Sequence, residues 1–150
     1  MRIRKAEQHD IDNNLLNLYI EGFNIHYEKR KDIFPKKTRD ELKDNLIEII
    51  NNPAKTVFVI DDNEKIIGYA ATQFKDKTTK TIWIDEIVID VNYQNKGYGK
   101  TLIDEICKYA RQNKCARVEL NCWCFNSNAI EFYNKLGFMQ QRVIYEKEIN

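Results

Sequence analysis

Apolar residues recur along this chain with two distinct periods. Ile11, Leu15, Leu18, Tyr19 and Phe23 fall at steps of three and four, which predicts a helix over 8–24. Residues 38–51 repeat that period, with Thr38 and Glu41 spaced as a capping box at the start and Pro53 just past the end. Between them, 25–37 reads as an irregular, aromatic segment ending near Pro35. The period then shortens. Residues 56–60 and 65–75 read as two strands joined by the turn chemistry of Asp61-Asp62-Asn63-Glu64, a β-hairpin. A second charged turn, 75–80, leads into 81–91, which is apolar on both faces, as a central strand covered on both sides would be. Helical spacing returns at 99–112, through Leu102, Ile103, Ile106, Cys107 and Ala110, and at 127–136, through Ala129, Phe132, Tyr133 and Leu136. Gly137 stands where a helix C-terminal cap belongs. Short strands are expected at 2–6, 116–124 and 142–149. The order β-α-α-β-β-β-α-β-α-β predicts an α/β (α+β) fold, a mixed central sheet flanked by helices. No linker, repeat or low-complexity stretch interrupts it, so one domain is expected over 1–150.

Composition narrows the function classes. The chain has 150 residues, 43% hydrophobic and 31% charged, an ordinary globular balance. Its net charge of +1 gives no footing for a dedicated nucleic-acid or polybasic membrane protein, and neither partner is expected. No window approaches the roughly 20 apolar residues of a membrane span, and the first residues lack a signal peptide's apolar core. Cys107, Cys115, Cys122 and Cys124 form no C-x-x-C pair, and His9 and His26 are the only histidines. Ligand spacing for a metal is missing, so no metal is expected. Free thiols fit a reducing cytoplasm.

The candidate chemistry begins at Gln94-Asn95-Lys96-Gly97-Tyr98-Gly99-Lys100-Thr101, which follows the long strand and opens a helix. Glycines there allow a tight turn that aims several N–H groups at one spot, with the positive end of the helix dipole behind them. Such a loop suits a phosphate or diphosphate. It is one glycine short of both the dinucleotide fingerprint (Leu102 stands in the third place) and the P-loop (Gln94 in the first).

Gln94-x-x-Gly97-x-Gly99 is similar to the Q/R-x-x-G-x-G/A motif of the GNAT superfamily of acetyl-coenzyme A-dependent N-acetyltransferases. Ile87-x-Ile89-x-Val91 resembles that family's L-x-V-x-P strand end, with Val91 in place of the commoner proline. About thirty residues on, Asn126-x-x-Ala129-x-x-Phe132-Tyr133-x-Lys135-Leu136-Gly137-Phe138 resembles its N-x-x-A-x-x-F/L-Y-x-x-L-G-F motif. The two motifs are independent and in the family's order.

The resemblance implies a single-domain GNAT fold in which strands 81–91 and 116–124 splay to admit the pantetheine arm of acetyl-coenzyme A. Ile87, Ile89 and Val91 would line that arm. Gln94, Asn95, Lys96, Gly97, Tyr98, Gly99 and Lys100 would hold the diphosphate. The Ile89 N–H would stabilise the oxyanion of the tetrahedral intermediate. The implied reaction is acetyl transfer to a primary amine by direct attack, which needs a base, because an amine of pKa about 10.4 is charged at pH 7. Asp85 and Glu86 sit mid-strand, where burial raises a carboxylate's pKa. Strand alternation predicts that they point to opposite faces, and family members often carry an acid at the place of Glu86, the favoured base. A carboxylate satisfied by an ion pair is the other reading. Tyr133 is the candidate acid for the departing thiolate, or else a core aromatic. Asn126 either binds pantetheine or caps its helix.

The resemblance places the acceptor cleft against 23–35, where His26, Tyr27 and Glu28, with Asp85, are candidate contacts; a helix end and surface loop is the plainer reading. The acceptor is expected to be a small-molecule or protein amine. Homodimers are common in the family, an expectation that no residue here carries by itself.

Overall fold

A computed structural model describes residues 1–76 and 78–150. Its elements are β1 (Arg2–Lys5), a 3-10 turn (Gln8–Asp12), α1 (Leu15–Lys29), α2 (Arg39–Asn51), β2 (Lys55–Asp61), β3 (Ile66–Asp76) and β4 (Lys80–Ile89). A short 3-10 turn (Val91–Tyr93), α3 (Tyr98–Gln112), β5 (Arg117–Leu120) and α4 (Ser127–Lys135) follow. The strands form one sheet in the order β1-β2-β3-β4-β5. The first four run antiparallel, and β4 pairs with β5 in parallel. The charged turn expected between β3 and β4 includes Lys77, which lies outside the described residues.

Strand alternation divides the core into two layers. Val57, Val59, Tyr69 and Ala71 face α1 and α2, packing on Leu15, Leu18, Tyr19, Leu42 and Leu46. Phe58, Ile60, Ala70, Ile82 and Ile84 face the other way, onto Leu102, Ile103 and Ile106 of α3. Gly22 lets α1 lie close on the sheet, since a Cβ there would meet Val88 Cγ2 at 2.8 Å. Among the described residues no helix is long and apolar enough to cross a membrane.

The capping box is formed: Thr38 Oγ1 accepts from the Glu41 N–H at 3.2 Å, and Glu41 Oε2 accepts from the Thr38 N–H at 2.9 Å. Gly137 takes the left-handed conformation, φ 85°. Three expectations about α1 and the C-terminal segment fail. The helix expected over 8–24 breaks at Asn13 and Asn14, because Asp10 is buried and bound by Arg4 through two 2.8 Å hydrogen bonds, which tie the 3-10 turn to β1. α1 then runs on to Lys29, so His26, Tyr27 and Glu28 are helical. The strand expected at 142–149 does not form: alternation alone makes no strand without a neighbour to receive its hydrogen bonds. Its side chains stand in solvent, Tyr145 at 91% exposure.

Candidate active site

β4 and β5 share a ladder only from Thr81–Arg117 to Ile84–Leu120. Beyond it β5 ends while β4 continues to Ile89, still paired with β3. The Asp90 N–H donates to the Ile67 carbonyl on β3 at 2.8 Å. Alternation therefore turns the Ile89 N–H to the opposite edge, the one β5 has left, and Ile87 shares that orientation. The Ile89 carbonyl on that edge accepts from Gln94 Nε2 at 2.9 Å. The strands thus end earlier than the expected 91 and 124. Val91 lies past the end of β4, in the 3-10 turn and 64% exposed, rather than among the strand residues. Asp90 fixes the end of β4: its carboxylate accepts from Lys65 Nζ and from the Asn92 N–H, both at 3.0 Å.

Below this edge α3 begins at Gly97, φ 88°, with no side chain capping its first turn. The N–H groups of that turn are orphan donors at the positive end of the helix. Asn95, φ 59°, makes the turn into it. The two glycines differ. A Cβ on Gly97 would meet nothing within 4 Å, so its space is open to a ligand. A Cβ on Gly99 would meet the Phe132 ring at 3.0 Å, so Gly99 lets α3 and α4 close together. The loop's cations have partners of their own. Lys96 donates to the Asn92 carbonyl at 2.8 Å and lies over Tyr93, while Lys100 pairs with Asp104 at 2.6 Å. Tyr98 rests on Tyr93, ring centroids 5.9 Å apart.

The two carboxylates of β4 do not point to opposite faces. The ladder pairs Thr72 with Ile84 but Ala71 with Glu86, so Asp85 is the extra residue of a β-bulge. The bulge reverses the alternation: Ile82 and Ile84 pack on the α3 side, and so do Ile87 and Ile89. Asp85 binds Lys55 Nζ at 3.0 Å and Gln73 Nε2 at 2.7 Å, while Glu86 faces Tyr69 and Tyr19, all on the α1/α2 side. Burial, assisted by the nearby Asp85 charge, pushes Glu86 up from an ordinary 4.5 to about 7, against a lowering contact from Tyr69. The Tyr69 hydroxyl is buried without a partner in regular hydrogen-bond geometry, so that contact is loose and only tempers the shift. Burial and the Glu86 charge raise Tyr19 in turn to about 12. Neither tyrosine is visible as a site residue in the sequence, because the β3–β4 register and the α1 crossing bring them to Glu86.

On α4, the half-buried Tyr133 packs between the rings of Phe132 and Phe138 at 5.3 and 5.5 Å. Burial, then the neighbouring Cys122, raise its hydroxyl well above the ordinary 10, so it stays protonated at neutral pH. The Cys122 thiol is itself pushed up by burial. Asn126 caps α4 through a 3.3 Å bond from the Ala129 N–H to its Oδ1.

The acceptor-side candidates separate. An open cleft of about 500 Å³ lies between α1 and the turn before α4, and it brings Glu28 together with Asn126, Glu21, Asn24 and Phe125. His26 lies in an aromatic cluster, 5.7 Å from Phe34 and 6.1 Å from Phe125, with Nδ1 2.9 Å from the Gly22 carbonyl. Tyr27 stacks on Phe23 at 5.9 Å. Among the described residues no group of three or more His, Cys, Asp or Glu side chains is placed to hold a metal ion.

A sequence model of the Acetyltransferase (GNAT) family matches residues 19–138, which takes in the splayed edge, the uncapped α3 start and Tyr133. The chain belongs to the GNAT acetyltransferase family. An uncharacterised N-acetyltransferase of Methanocaldococcus jannaschii is 30% identical over 149 residues, covering 95% of this chain. Glucosamine 6-phosphate N-acetyltransferase of Trypanosoma brucei brucei is 31% identical over 86 residues, 55% of this chain. The matched stretches span 62% and 56% of those relatives' own lengths. In structure, this GNAT chain is similar to a mutant of the BH1408 protein of Bacillus halodurans, with a TM-score of 0.91, 24% identity and 100% of both chains covered.

Proposed function

We propose that this chain is an N-acetyltransferase that moves the acetyl group of acetyl-coenzyme A to a primary amine by direct attack. The observation that carries this reading is the divergence of β4 from β5. It leaves the Ile89 N–H on the edge that β5 has left, and the Ile89 side chain lies beside Gly99 in the first turn of α3, 3.8 Å from where a Cβ there would stand. In this reading the diphosphate lies on the N–H groups of the Gln94–Lys100 loop, in the space beside Gly97. The pantetheine arm runs along Ile87 and Ile89.

Glu86, ionised in about half the molecules at pH 7, takes a proton from the ammonium of the acceptor. The neutral amine attacks the thioester carbonyl, and its oxygen gathers charge against the Ile89 N–H. Collapse breaks the C–S bond; Tyr133, held protonated by burial, gives its proton to the thiolate and regains one from the nitrogen, which sheds its second proton as it becomes the neutral amide. The acceptor enters from the α1 side, where Glu21, Glu28 and Lys29 are the charged residues of the cleft and Glu28 also pairs with Lys31 at 3.4 Å. Asp85 keeps its ion pair with Lys55 and acts on Glu86 through its charge.

Calorimetric titration with acetyl-coenzyme A, followed by thiol release across a panel of polyamines, amino sugars, amino acids and peptide amines, tests the proposal. Binding with amine-dependent thiol release supports it. Binding without release from any amine leaves a coenzyme A-binding module, and absence of binding removes the reading of the loop.

A further inference from the structure

Tyr69 on β3 is completely buried, yet its hydroxyl has no partner in regular hydrogen-bond geometry. A buried hydroxyl left unpaired is costly, and native structures keep few of them. α1 crosses directly over it: a Cβ on Gly22 would stand 3.7 Å from the hydroxyl and 2.8 Å from Val88 Cγ2. The ring also meets that of Tyr19 on the same helix, centroids 6.5 Å apart. Core filling accounts for the ring and leaves the oxygen unexplained, because phenylalanine would fill the same space.

The β3–β4 register supplies an acceptor. Tyr69 pairs with Val88 and Ala71 with Glu86, so Tyr69 and Glu86 are diagonal neighbours on the α1/α2 side, a separation that long side chains bridge. Four elements place ionisable groups around Glu86: Asp85 on β4 itself, Lys55 on β2, Tyr69 on β3 and Tyr19 on α1. Asp85 repels its charge, and Lys55 is bound to Asp85 at 3.0 Å. Tyr19 meets the Glu86 charge without a hydrogen bond to it. Tyr69 is left as the donor. A protonated carboxyl is a weak acceptor and a carboxylate a strong one, and O–H···O⁻ bonds belong to the short, strong class. The Tyr69 hydroxyl therefore gains its partner when Glu86 loses its proton.

We propose that Tyr69 is a positioning residue for the general base: as Glu86 ionises, the Tyr69 hydroxyl closes onto its carboxylate, stabilises the charge and fixes the orientation of the group. The proposal rests on the reading of Glu86 as the base. Tyr69 keeps its own proton throughout, because burial and the Glu86 charge hold its hydroxyl well above the ordinary 10.

Carbon-13 NMR of the full chain, labelled at the glutamate side-chain carboxyls, tests it, with the Glu86 signal identified by its loss in Glu86→Gln. Tyr69→Phe keeps the ring and removes the donor, so the Glu86 midpoint should rise by about one pH unit, the size of a hydrogen bond to a charged group. Tyr19→Phe should leave the midpoint in place. In melting curves Tyr69→Phe should match or exceed the wild type at pH 4, where Glu86 is protonated, and lose stability relative to it between pH 7 and pH 9. Its kcat/KM for acetyl transfer should fall about fivefold at pH 7 and recover towards the wild type at pH 9, as a one-unit shift requires. In the unsubstituted chain the hydroxyl-bearing ring carbon of Tyr69 should shift with the same midpoint as Glu86. A Glu86 midpoint unmoved by Tyr69→Phe, a Tyr69 ring carbon that does not follow Glu86, or a stability loss equal at every pH would each overturn the proposal. A raised midpoint with a rate ratio flat in pH would uphold the Tyr69–Glu86 bond and overturn the reading of Glu86 as the base instead.

Discussion

Replacing Glu86 by glutamine removes a charge that the fold resists and that the proposed reaction needs, so it should move stability and activity in opposite directions. Glu86 holds its proton up to about pH 7 in the native state, against an ordinary 4.5 in the unfolded chain. Between those values the native state binds more protons than the unfolded state, so stability falls as pH rises through the window. The difference corresponds to about 3 kcal/mol at full ionisation, an upper figure because the side chain keeps some contact with solvent. Glu86→Gln has nearly the same shape and no charge. It should match the wild type in melting temperature at pH 4 and exceed it at pH 8, by about 4–10 °C for a chain of this length. Acetyl transfer should drop by about 100- to 1,000-fold. The ratio of wild-type to variant kcat/KM, in which the amine's own ionisation cancels, should rise with pH through a midpoint near 7. Melting curves and thiol-release kinetics from pH 4 to 9 supply both readouts. Equal melting temperatures at every pH would show that Glu86 ionises as a solvated carboxylate does. A flat rate ratio would remove it as the base.

Three further substitutions separate ligand geometry from scaffold. Gly97→Ala places a side chain at φ 88° with nothing within 4 Å, so it should cost only about 1–2 kcal/mol of stability. It should weaken acetyl-coenzyme A binding by about tenfold or more in calorimetry, since the new methyl enters the open space beside the α3 N–H groups. Arg4→Ala strips the buried Asp10 of its partner and should destabilise by about 3–5 kcal/mol in urea unfolding. Burial opposes ionised Asp10, but bonds from Arg4 and the Glu7 N–H hold it below the ordinary 3.8. Its contribution is therefore complete above that value and lost as pH falls beneath it, and the acid limb of the wild-type stability curve should be blunted in the variant. Tyr133→Phe keeps the ring packing against Phe132 and Phe138, so acetyl-coenzyme A affinity should hold while kcat falls about 10- to 100-fold where C–S cleavage limits the rate. Unchanged kcat under that condition would leave Tyr133 a packing residue.

Much of the architecture was legible because its signals are local. The periods that mark α2, α3, α4 and the β2–β3 hairpin, the Thr38–Glu41 capping box and the left-handed Gly137 each act within a few residues of chain. The uncapped glycine turn before α3 and the motif around Tyr133 were readable for the same reason. The failures share the opposite property. The break before α1 comes from Arg4 reaching Asp10, a contact made only once β1 is in the sheet. The common facing of Asp85 and Glu86 comes from a bulge, which exists only relative to the register of β3.

The sequence by itself determined which segments are helix or strand, where the glycine turn before α3 lies, and the family the chain resembles, because spacing and backbone preference are written residue by residue. Tertiary structure alone decided that Glu86 is buried against Tyr69 and Tyr19, that the β5 ladder stops short of Ile89, and that 142–149 has no described strand beside it. Each of these depends on which distant residue ends up alongside, and hydrogen-bond pairing and desolvation arise only from that proximity.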